Sequence, residues 1–122
     1  MQYLLLLYRD EQSWADLPPE ERDVIVREYY ALTAEMRDRG VYETGAPLRP
    51  TTTATTVRVR DDELVVTDGP FAETKEQLGG FFLIEVDSVA EAQSWAAKVP
   101  VARHGSVEVR PNVPVPAEVR AE

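Results

Sequence analysis

The chain has 122 residues and a net charge of −9, with hydrophobic residues at 43% and charged residues at 29%. That is one soluble domain with room for a single two-layer core. Its acidity argues against a nucleic-acid or anionic-membrane partner, and the absence of cysteine excludes disulfides, thiolate nucleophiles and Cys-based metal sites.

Residues 2–8, QYLLLLY, are apolar on both faces and read as a first strand buried in a sheet centre. The run is far too short to cross a membrane and lacks the basic start and cleavage site of an export signal, so a cytoplasmic protein is expected. Arg9-Asp10-Glu11 ends the strand. Residues 14–17 read as an irregular connection, with Trp14 as a lid over the core. Pro18-Pro19-Glu20-Glu21 opens a helix, with proline in the first turn and acids at the positive end of its dipole. The helix runs to about Arg39 and stops at Gly40, carrying one apolar stripe of Ile25, Tyr29, Leu32 and Met36.

Residues 41–44 suit a strand, and residues 51–60 and 63–67 alternate around Asp61-Asp62 as a β-hairpin. The stretch 64–86 is the densest in signals. Asp68-Gly69-Pro70-Phe71 forms a constrained turn in which Asp68 is expected to cap its own backbone as an Asx turn. Thr74 and Gln77 have the T-x-x-Q spacing of a capping box, which predicts a short helical turn from Lys75, stopped by Gly79-Gly80 before a buried strand at residues 81–84. Ser88-Val89-Ala90-Glu91 is a second capping box, opening a helix that presents Ala92, Trp95, Ala96 and Val99 on one side. Residues 106–110 alternate as a last strand. The domain is expected over residues 1–112, with residues 113–122 as a frayed tail or a strap over a neighbour.

Apart from the hairpin, the order is β-α-β-β-α-β. It predicts a ferredoxin-like α+β fold, with an antiparallel sheet and two helices on one face. The other sheet face needs a cover. A second copy of the chain, giving a homodimer, is the economical one; the alternative is a monomer whose hairpin and tail fold back over it.

The segment 66–76, VTDGPFAETKE, followed by Gly79-Gly80-Phe81 and by residues 105–111, GSVEVRP, resembles the DGPF-domain family of the YCII-related superfamily. The resemblance covers residues 1–112. It implies a ferredoxin-like dimeric α/β barrel and no settled activity, and it suggests an association with sigma factors of the extracytoplasmic-function type. Wider relatives carry a helical histidine and a carboxylate proposed as a catalytic pair. Here the first helix offers Tyr29-Tyr30 and no histidine, and Val99-Pro100 stands where relatives show Asp-Pro.

Candidate chemistry falls on few residues. Asp68 is either a general base beside a cleft or a turn cap, and Glu73 and Lys75 read as a solvent ion pair. His104, the one histidine, sits in a loop before the last strand. Arg110 either binds an anion or pairs across a dimer with an acid such as Glu85. Tyr8, Tyr29 and Tyr30 are placed to line a small cavity between sheet and helix. No ligand spacing for a metal is present, no phosphate-cradling loop occurs, and no cofactor is expected. Two readings follow. The first is a small-ligand-binding or regulatory dimer, with a binding set of Tyr8, Tyr29, Asp68, Phe71, Lys75 and Arg110. The second is a cofactor-free isomerase or hydrolase using Asp68 or His104 as acid/base group.

Overall fold

In the computed structural model, which describes residues 1–119, six strands and three helices form two unequal sheets. Strand β1 (Gln2–Arg9) is followed by a short helix α1 (Glu11–Ala15) and the long helix α2 (Pro19–Asp38). Strand β2 (Tyr42–Pro47) leads through a 3-10 turn at Thr51–Thr53 into the hairpin strands β3 (Thr55–Arg60) and β4 (Glu63–Asp68). Strand β5 (Gln77–Glu85), helix α3 (Val89–Ala96), a 3-10 turn at Pro100–Arg103 and strand β6 (Ser106–Pro111) complete the fold. The main sheet is antiparallel with order β2-β5-β1-β6, and the hairpin is a separate two-stranded sheet. This is a mixed α+β architecture consistent with a ferredoxin-like fold.

Alternation along β1 and β5 divides the main sheet. Tyr3, Leu5, Leu7, Phe82 and Ile84 are buried beneath Leu32 and Met36 of α2 and Ala92, Trp95 and Ala96 of α3. Fully burying a Leu, Ile or Phe side chain contributes about 1.5–3 kcal/mol, so this layer holds the two longer helices to one face. The opposite face carries Leu4, Leu6, Phe81 and Leu83, each only partly covered.

The helix signals act at both ends of α2. Pro18 and Pro19 start it, and its C-terminus closes with Gly40 at φ +71°. There the Gly40 N–H donates to Arg37 O and the Val41 N–H to Met36 O, at 3.1 and 2.9 Å, while Val41 and Met36 are both buried. This is a Schellman stop with its hydrophobic contact. At α3 the Ser88 hydroxyl accepts from the Glu91 amide at 3.1 Å, as the capping spacing predicts.

Four local expectations are overturned. Residues 74–77 form no helical turn: Thr74 Oγ1 donates to Glu76 O, Gln77 Nε2 donates to Thr74 O, and β5 already begins at Gln77. Gly79 and Gly80 therefore lie inside a strand. The connection expected at Trp14 is in fact part of α1, whose first turn is capped by Asp10. Asp68 makes no Asx cap, because the turn is held through its backbone. Gly69 N–H donates to Ala54 O at 2.7 Å and Thr56 Oγ1 to Gly69 O at 2.8 Å. Lastly, Lys75 and Glu73 form no ion pair. Within the one chain, Arg110 pairs with Glu108 on its own strand, through Nε at 2.8 Å, and Glu85 with the amino terminus.

Beyond β6, Asn112 extends the pairing to Gln2 through its amide N–H and its side chain, each at 3.0 Å. Residues 113–116 are exposed. The last three positions of the expected tail, 120–122, lie outside the described residues.

Candidate functional site

The register of β1 brings a charge to the wrong side. Tyr3, Leu5, Leu7 and Arg9 share one strand face, so the guanidinium enters the layer between sheet and helices. A bulge in β5 opposite Leu7 and Tyr8 leaves Gly79 out of register with β1. Arg9 lies across it: a Cβ added at Gly79 would stand 3.4 Å from Arg9 Nε. Glycine supplies the surface on which the arginine rests.

Arg9 ends in a cavity of about 850 Å³ between α2 and the β2–β5–β1 part of the sheet. Leu7, Gly79, Gly80 and Phe82 form the sheet wall, and Val26, Tyr29, Tyr30 and Thr33 the helix wall. Trp14 closes one end, with the Arg9 guanidinium carbon 4.2 Å from its ring centroid, a cation–π distance. Arg37 and Asp38 stand at the margin, where Arg37 lies 4.8 Å over the Tyr42 ring and Tyr42 packs edge-on against Phe82.

The electrostatics follow from burial. Arg9 Nε is closed off from solvent and has no hydrogen-bond partner among the described residues. Burial lowers the Arg9 pKa, opposed by Tyr29 and Glu11, and the group stays cationic at any ordinary pH. Glu11 is the acid whose field reaches Arg9, but its carboxylate is engaged by the amide and hydroxyl of Thr51 at 2.7 and 2.8 Å. Burial pushes the Tyr29 phenol up, opposed by a backbone hydrogen bond at Val101 and by the fields of Arg9 and Arg103. The same end is braced by a two-point pairing of Arg103 with Glu28 of α2, at 2.8 and 3.1 Å. A large, mostly apolar chamber with a few converging polar groups is the form of a small-molecule site.

Of the residues singled out in the sequence, Tyr29 lines this chamber and Tyr30 its mouth. Tyr8, Asp68, Phe71, Lys75, His104 and Arg110 do not. Asp68 lies exposed at the end of β4, Phe71 is 76% exposed, and His104 is exposed behind the 3-10 turn at Pro100–Arg103. No hydrogen bond joins any two of them. A smaller hollow of about 230 Å³ lies beside the DGPF turn, lined by Pro70, Ala72, Glu73 and Thr74 together with Thr51 and Gln77. The sequence reading missed Arg9, and it gave Trp14 as a lid over the core rather than as part of a site. The signal for Arg9 was present, as a charge in phase with the core positions of β1. Among the described residues no group of His, Cys, Asp or Glu is placed to hold a metal, and no helix is long and apolar enough to cross a membrane.

The fold and chamber define a small α+β domain with a half-buried arginine turned inward beneath a long helix. The YCII-related domain family matches residues 1–115, and the chain belongs to that family. It is similar to an uncharacterized protein of Rhizobium meliloti (strain 1021), at 42% identity over 113 residues, which is 91% of each chain.

Proposed function

We propose that the protein is a small-molecule-binding module, working as a homodimer, whose binding chamber is the cavity between α2 and the sheet. The observation that carries this is the convergence of Arg9, whose buried Nε has no acceptor among the described residues, and the partly buried Tyr29 on a largely apolar space of about 850 Å³. A packed core leaves no void of that size, and a buried N–H without an acceptor, as at Arg9 Nε, costs stability that a ligand would return. The DGPF turn then serves as architecture, shaping the exit of the hairpin towards β5. Membership of the DGPF subgroup, a regulatory role beside a sigma factor and a cytoplasmic setting belong to the same proposal. They rest on the motif at residues 66–76 and on the composition.

A thermal-shift screen of small metabolites on three proteins tests the reading: wild type, Asp68→Asn and Ala34→Trp. Ala34 is exposed on α2 at the cavity wall, so the indole blocks the chamber without disturbing the core. A ligand at 100 times its Kd stabilises by about 2.7 kcal/mol, a shift of several degrees for a domain of this size. Hits are expected to survive Asp68→Asn and to vanish in Ala34→Trp. The reverse pattern would move the site to the DGPF turn.

A further inference from the structure

The charge inside the chamber is opposite to that of the molecule. A chain of net charge −9 lines this cavity with Arg9, Arg37 and Asp38 as its charged groups, two cations against one acid. Arg37 is exposed and rests on Tyr42, whereas Arg9 is held inward with Nε buried and unpartnered. Glu11 accepts from Thr51 and Asp10 from the Gln12 amide, so neither neighbouring acid takes a hydrogen bond from Arg9 Nε. A guanidinium is a planar fork of donors that matches a carboxylate in two parallel hydrogen bonds. The remaining walls are aromatic and aliphatic, chiefly Trp14, Tyr42, Phe82 and Leu7.

From this we infer that the chamber takes an apolar or aromatic molecule bearing a single carboxylate, with the carboxylate on Arg9 and the body between Trp14 and Phe82. The inference rests on the cavity being a ligand chamber, as proposed above. A phosphate ester fits less well. The lining presents one inward cation and no helix N-terminus, since the first turn of α2 at Pro19 does not reach the cavity. Tyr29 lines the same chamber and offers its phenol O–H as a donor beside the carboxylate.

The test is a matched pair of probes, 4-phenylbutanoate and 4-phenylbutanamide, titrated calorimetrically into wild type and Arg9→Gln. The carboxylate is expected to bind wild type about tenfold or more tightly than the amide, the worth of one hydrogen bond to a charged group. Arg9→Gln is expected to abolish that preference. A second measurement needs no variant: the Arg9 Nε–H resonance of wild type should shift on adding the acid and stay in place on adding the amide. Equal binding of the two probes, with an unmoved Arg9 signal, overturns the carboxylate inference and leaves the chamber standing. If neither probe binds while neutral screening hits are lost in Ala34→Trp, the inference again falls alone. If neither probe binds and the screen is empty as well, the chamber falls with it.

Discussion

Arg9 and Tyr29 occupy a layer where charge is costly, and each reports on that layer in a measurable way. Burial raises the Tyr29 pKa above its ordinary value. The unfolded chain therefore gives up this proton at a lower pH than the folded one. The stability tied to the neutral phenol is complete below the unfolded pKa of about 10 and is lost as pH rises through the folded pKa. Urea midpoints measured between pH 8 and 11 should fall more steeply for wild type than for Tyr29→Phe. Equal slopes would mean that the phenol is not held in a dehydrated setting. At this scale the sequence was half legible. The i, i+4 stripe that begins at Ile25 correctly turns Tyr29 towards the sheet. The parity that carries Arg9 inward was readable from Tyr3, Leu5 and Leu7, but a charge at a strand end looks like a stop. What completes the site is the bulge at Gly79, a tertiary feature with no local signature.

Elements whose ends are fixed by backbone geometry were the most legible. The glycine expected to stop α2 does so with φ +71°, a conformation that charges an L-residue about 1–2 kcal/mol. Asp61 and Asp62 stand at φ 53° and 64° between the paired residues Arg60 and Glu63, which makes a two-residue turn of the I′ kind. Two substitutions of opposite sign follow. Gly40→Ala should lower stability by about 1 kcal/mol, and Asp62→Gly should raise it by a few tenths, both read as urea midpoints at unchanged slope. A neutral Gly40→Ala would show that the Schellman stop contributes little. The T-x-x-Q pattern failed for a reason of length. Between the turn at Pro70 and the strand start at Gln77 there is no room for a helix that could bury a face, so a capping box had nothing to cap. Strand pairing of Gln77 with Arg9 won instead, and the side chains of Thr74 and Gln77 closed a local loop.

Among the described residues, two apolar surfaces are left without a partner. One is the sheet face of Leu4, Leu6, Phe81 and Leu83 opposite the helices; the other is one side of the hairpin, where Val57 faces Val66 and Val59 faces Leu64, all exposed. The expected alternative, a hairpin folded back over the sheet, would have buried those valines. A contiguous apolar face on a small acidic domain is costly in water, and a two-fold copy presents the matching surface by symmetry. The homodimer proposed above thus predicts sedimentation at about twice the chain mass of 13.7 kDa at micromolar concentration. Leu6→Glu places a charge at the sheet centre on the open side and should give a folded monomer, with its circular dichroism preserved. Two chains of net charge −9 repel each other, so the dimer should also tighten as salt rises through the range where the Debye length falls from about 30 to 10 Å. Wild type sedimenting as a monomer across that range would remove the dimer from the proposal. Leu64→Glu separates the two surfaces. If it dissociates the dimer as Leu6→Glu does, the hairpin reaches the partner; if the dimer persists, the sheet face alone joins the copies.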